Sequence, residues 1–118
     1  MNLEDKITEL TKLWMIVGCS DHHKDRDCHW YIEKRWSYGN VPTYQAYHNG
    51  YVFEPESCKE RATYKEAQHD LFELLKSGFK EQFDWAYRAL KEPDQYDQDL
   101  AGHICNQYKK YKEIINAV

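Results

Sequence analysis

His29-Trp30-Tyr31-Ile32-Glu33-Lys34-Arg35-Trp36-Ser37-Tyr38-Gly39-Asn40-Val41-Pro42-Thr43-Tyr44-Gln45-Ala46-Tyr47-His48-Asn49-Gly50-Tyr51-Val52-Phe53-Glu54 is the stretch on which the fold turns. Its runs of aromatic and β-branched residues are those favoured on a pleated surface. Gly39-Asn40 and Asn49-Gly50 divide it. Glycine at the first central position suits a type II′ turn, and Asn-Gly is the strongest short hairpin signal. The reading is a three-stranded antiparallel meander over about 28–54, with the third strand at 51–54.

Two-residue turns fix a register. Ile32 then faces Tyr47, Tyr31 faces His48, Glu33 faces Ala46 and Arg35 faces Tyr44. Around the second turn Val52 faces Tyr47 and Tyr51 faces His48. One face carries Cys28, Trp30, Ile32, Trp36, Tyr47 and Val52 and is the expected core side. The other carries His29, Tyr31, Glu33, Arg35, Tyr44, His48, Tyr51 and Phe53. An antiparallel sheet can leave such a mixed face to water.

Helices flank this unit. Leu3, Ile7, Leu10, Trp14 and Val17 form one stripe of a helix over 3–17, with Asn2 as its cap and Gly18 as its stop. Thr63 and Glu66 make a capping box for a helix over 64–77, which Ser77-Gly78 ends. A third helix, 79–91, carries Phe79, Phe83, Ala86 and Leu90 and stops before Pro93. A fourth, 99–115, carries Leu100, Ile104, Tyr108, Tyr111 and Ile115. The expectation is an α+β fold in the order α-β-β-β-α-α-α, with all 118 residues in one domain.

Composition narrows the function. Apolar residues make up 42% and charged residues 31%, which excludes a disordered chain. Sixteen basic against 20 acidic residues give a net charge of −4, where a nucleic acid partner calls for a basic excess. The start of the chain lacks a signal peptide pattern and no apolar run is long enough for a membrane span. A cytoplasmic protein with four reduced cysteines is the expectation.

Cys19, His22, His23 and Cys28 are zinc-type ligands close together, with Cys58 or His103 available to complete a set. They lack a Cys-x2-Cys pair, and a polar loop accounts for them as well. Asp21, Asp25 and Asp27 lack the turn glycine and closing glutamate of a calcium loop. No phosphate-binding glycine loop, nucleophile elbow or metalloprotease motif occurs. No cofactor is implied.

Ten tyrosines and four tryptophans leave a surplus of aromatic residues. Tyr, Trp and Arg are enriched where proteins meet proteins. Tyr31, Glu33, Arg35, Tyr44, His48 and Tyr51 on the open sheet face, and Trp85 off the stripe of its helix, are the candidate contact residues. The expectation is a non-enzymatic binding, regulatory or inhibitor-type protein with a protein partner. A homodimer through the same face is the other occupant of such a surface. The alternatives are a small enzyme or ligand-binding domain using His48, Glu33, Arg35 and tyrosines, and a structural zinc site at 19–29.

Overall fold

The computed structural model describes residues 1–17, 29–49, 56–92, 94 and 98–118. It is an α+β arrangement with helices and an antiparallel sheet. The elements are α1 (Leu3–Val17), β1 (His29–Tyr38), β2 (Val41–Asn49), β3 (Glu56–Ser57), α2 (Tyr64–Ala89), α3 (Gln98–Cys105) and α4 (Tyr108–Ile115). The sheet order is β1-β2-β3, but only β1 and β2 are long. The expected strand at 51–54, with Tyr51, lies outside the described residues, as do Gly18, Pro93 and the loop holding Cys19, His22, His23 and Cys28.

The β1–β2 hairpin turns at Gly39-Asn40, and Gly39 takes the positive φ of 78° that a first central glycine supplies. Tyr38 pairs with Val41 as a two-residue turn requires. Beyond that pair the register departs from expectation. Arg35 pairs with Thr43, so Trp36 and Ser37 lie opposite Pro42 alone. Two residues against one make a β-bulge, and every later pair is displaced by one: Glu33 with Gln45, Ile32 with Ala46, Tyr31 with Tyr47, Trp30 with His48.

A slip of one residue turns a whole strand over. Tyr44, Ala46 and His48 therefore face the helices, while Thr43, Gln45 and Tyr47 face outward, which reverses the expected placing of Tyr44, His48 and Tyr47. The physical reason lies in Gln45 and Ala46. Without the bulge the Gln45 amide would point into the core, where an amide without partners costs about 1–3 kcal/mol. With the bulge, Ala46 takes the inner position and is wholly buried. Trp36, expected inside, sits in the bulge and is 59% exposed.

The inner face packs on α2, with α1 lying beside α2. Leu10, Leu13, Trp14 and Val17 of α1 meet Leu71, Leu75, Phe79 and Phe83 of α2 in one apolar cluster. Asn2 accepts from the Asp5 amide at 2.8 Å, capping α1. Thr63 accepts from the Glu66 amide at 3.2 Å, and its hydroxyl donates to the Glu66 carboxylate at 2.9 Å, capping α2.

The helices expected at 64–77 and 79–91 are one helix. Gly78 does not stop α2; it admits a tryptophan. A methyl group there would come within 2.9 Å of Trp30 Cη2 and 3.3 Å of Trp14 Cη2. Trp30 in turn stacks on His48 at 3.7 Å with 3° between planes. Close approach of a large ring thus explains a glycine that otherwise costs a helix about 1 kcal/mol.

The helix expected over 99–115 is broken. α3 closes with Asn106 donating to Gly102 O and Gln107 donating to Ile104 O, a tightened last turn, and Tyr108 restarts the helix as α4. The break rephases the apolar stripe. Ile104, Tyr111 and Ile114 are buried, in place of the expected run through Tyr108 and Ile115.

Candidate recognition surface

On the outward face, Tyr31 and Tyr47 lie directly opposite each other on β1 and β2, with ring centroids 5.4 Å apart and planes 17° apart. Such a cross-strand pair stabilises a sheet by up to about 1 kcal/mol. Four residues along β1 from Tyr31, Arg35 reaches back across the hairpin. Its Nη1 donates to the Tyr47 hydroxyl and, at 3.2 Å, to Gln45 Oε1. The Tyr47 hydroxyl donates to Gln45 Oε1 at 2.9 Å, and Gln45 Nε2 donates to the Cys58 carbonyl. Arg35 Nε meets Glu60 at 3.1 Å.

Arg35 is therefore an arginine whose long side chain is already ordered, fixed by one carboxylate, one phenol and one amide. Tyr47 is the first cause holding its guanidinium pKa above the ordinary value. Beside it stand Tyr31, 37% exposed, and exposed Glu33. Trp36 is exposed in the bulge but carries Lys34 over its ring at 5.0 Å, which sets it on the side of the strand away from Tyr31 and Arg35.

Tyr31, Glu33 and Arg35 share this face as expected. Tyr44 and His48 do not. Tyr44 contacts Tyr64 with centroids 5.8 Å apart, and His48 stacks on Trp30, with Trp14 meeting both rings at close to a right angle. Glu33 and His48 thus sit on opposite faces of the sheet, so the acid–base pair of the enzyme alternative is not assembled. Trp85 is half-buried against the core and lines a shallow cleft of about 270 Å³ with Arg88, Ala89, Lys91 and Glu92.

Elsewhere, Phe83, Tyr87, Cys105 and Tyr108 line a cleft of about 320 Å³ between α2 and the α3–α4 pair. Burial pushes the Cys105 thiol up, and burial followed by Asp70 pushes the Cys58 thiol up, which opposes thiolate formation at both. No group of three metal-ligating side chains occurs among the described residues. None of the described helices is long and apolar enough to cross a membrane.

Tyr47, Gln45 and Glu60 complete the surface and escape sequence reasoning. The first two follow from the bulge, and Glu60 arrives from the segment after β3, which no local pattern ties to Arg35. That segment is fixed by Tyr44 and Arg61, which exchange two backbone hydrogen bonds of 2.8 and 2.7 Å. The Arg61 guanidinium holds Asp70 of α2 at 2.7 and 3.1 Å.

Comparison with known proteins finds no matching family model, no matching curated protein and no matching solved structure.

Proposed function

We propose that this chain is a non-enzymatic binding protein that recognises a protein partner through the outward face of the β1–β2 hairpin. The observation that carries this reading is the ordered Arg35, held between Tyr47, Gln45 and Glu60 next to the exposed ring of Tyr31. Binding normally costs about 0.5–1.5 kcal/mol for each long side chain immobilised, and Arg35 has met that cost in the free protein. Tyr and Arg are also the residues in which interface energy concentrates.

The surface lacks the other requirements of a catalytic site. It is an open sheet face, where water is not excluded, and its only carboxylates are Glu33 and the arginine-bound Glu60 among the described residues. The partner binds by contact with aromatic rings and a fixed guanidinium.

Tyr31→Ala and Arg35→Ala test it. Each is expected to weaken a captured partner's affinity by about tenfold or more with the circular dichroism of the folded chain retained, although Arg35→Ala also leaves Glu60 without its guanidinium and lowers Tm. Unchanged affinity in the double variant, with the fold intact, rejects this face as the binding surface.

A further inference from the structure

The edge of β1 away from β2, unpaired among the described residues, carries a second, independent surface. Tyr44 exchanges both backbone hydrogen bonds with Arg61, and the Ala46 carbonyl accepts from Cys58, so the even-numbered residues of β2 direct their main-chain groups away from β1. Antiparallel pairing alternates these directions along a strand. The residues of β2 that bond to β1 are therefore Thr43, Gln45 and Tyr47, and their partners are Arg35, Glu33 and Tyr31. It follows that Trp30, Ile32 and Lys34 point their N–H and C=O groups outward. Among the described residues β1 is the end of the sheet, and no backbone pairs with that edge.

We propose that this edge pairs with β1 of a second copy of the chain, antiparallel, about a twofold axis through Ile32. Self-pairing of a strand has few registers that keep outward groups opposite outward groups. Centring on Lys34 places like charges opposite each other, and centring on Glu33 brings two carboxylates together at the axis; like charges directly opposite are destabilising. Centring on Ile32 sets Ile32 against Ile32 of the partner subunit, Trp30 against Lys34 of the partner subunit, and Tyr31 against Glu33 of the partner subunit. About six main-chain hydrogen bonds form, using every outward group of the three residues on each copy. Trp30 and Ile32, only half-buried in one copy, are covered.

The pairing also stops where the chain stops it. The bulge at Trp36-Ser37 ends the straight part of the edge, and the far edge of the sheet is the two-residue β3. Bulges and very short strands are how sheets prevent open-ended growth. A twofold dimer is the closed product. It joins two outward faces into one continuous surface.

The test is sedimentation of the full chain from about 5 to about 500 µM, with amide exchange followed by NMR at both ends of that range. The expected result is a species of twice the 14.2 kDa chain mass at high concentration. The amides of Trp30, Ile32 and Lys34 should then exchange at least about tenfold more slowly than in dilute solution, while those of Tyr31, Glu33 and Arg35 change little. Lys34→Pro removes one outward N–H and leaves the β1–β2 ladder whole, since that N–H faces away from β2. It is expected to give a folded monomer at every concentration. A wild-type chain that stays monomeric at 500 µM overturns the proposal. So does a dimer whose Trp30, Ile32 and Lys34 amides remain fast. Because the amide readout uses wild-type protein, the proposal stays testable if Lys34→Pro fails to fold.

Discussion

Gly78→Ala should destabilise this protein although it replaces glycine by alanine inside a helix. At an unhindered helical position the exchange stabilises by about 1 kcal/mol. Here the new methyl group meets Trp30 Cη2 at 2.9 Å and Cζ2 at 3.1 Å. The ring has no easy retreat: His48 stacks on it at 3.7 Å and Trp14 meets it edge-on with centroids 5.0 Å apart. Overpacking of this kind costs about 1–3 kcal/mol, and a ring pinned by two aromatic neighbours belongs at the upper end. The net effect is a loss of about 1–2 kcal/mol. With an unfolding entropy of about 2.1 cal/mol/K per residue, that lowers Tm by about 4–8 °C. Gly102→Ala is the matched control. Nothing lies within 4 Å of its added methyl group in α3, so it should gain about 0.5–1 kcal/mol. Thermal and urea unfolding of the pair give the measurement. If Gly78→Ala stabilises the chain as Gly102→Ala does, the packing of Trp30 on the α2 backbone is wrong, and the register that places Trp30 there falls with it.

Other outcomes follow from the same structure. Thr63→Ala removes the α2 cap and should cost about 1 kcal/mol in urea unfolding, with the m value unchanged. Arg61→Ala strands the half-buried Asp70 carboxylate and should lower the urea midpoint by more than loss of an exposed pair such as Lys80–Asp84. Tyr111 has its pKa raised above 10.0, first by burial and then by Tyr108 and Glu73. For a folded-state pKa above the unfolded one, its contribution to stability is fully present below the unfolded value and is lost as pH rises through the folded value. Stability should therefore fall more steeply above pH 10 in wild type than in Tyr111→Phe, as read by urea midpoints across that range.

Much of the fold is legible in the residues. α1 with its Asn2 cap, the Thr63 cap of α2 and the turn at Gly39-Asn40 all rest on local rules, and each is found where those rules put it. The departures come from contacts between distant residues. Ser77-Gly78 has the composition of a helix stop, and only the approach of Trp30 and Trp14 from elsewhere explains why the helix continues. The bulge has the same origin. A two-residue turn predicts unbroken pairing, and nothing within β1 announces an extra residue. The cue lay in the unbroken register, whose pairing of Glu33 with Ala46 implies by alternation an inward Gln45 and an outward Ala46, the reverse of what is found.

The recognition surface was half legible for that reason. Tyr31, Glu33 and Arg35 sit on β1 before the bulge in the expected alternation, so their outward direction survives. Tyr44 and His48 sit on the strand that the slip turns over, and they join the core side. Tyr47 makes the opposite exchange and becomes the residue that orders Arg35.

Hydroxyl-radical footprinting of the chain in complex with its captured protein partner tests the proposed surface most directly, because exposed aromatic rings mark every candidate face. Tyr31 at 37% exposure reports the outward hairpin face, while Tyr87 at 58% and Tyr108 at 47% report the α2–α4 cleft. Recognition through the hairpin predicts that labelling of Tyr31 drops in the complex while Tyr87 and Tyr108 are labelled as in the free chain. Protection of Tyr87 and Tyr108 with Tyr31 unchanged would contradict it and move the binding surface to the helices.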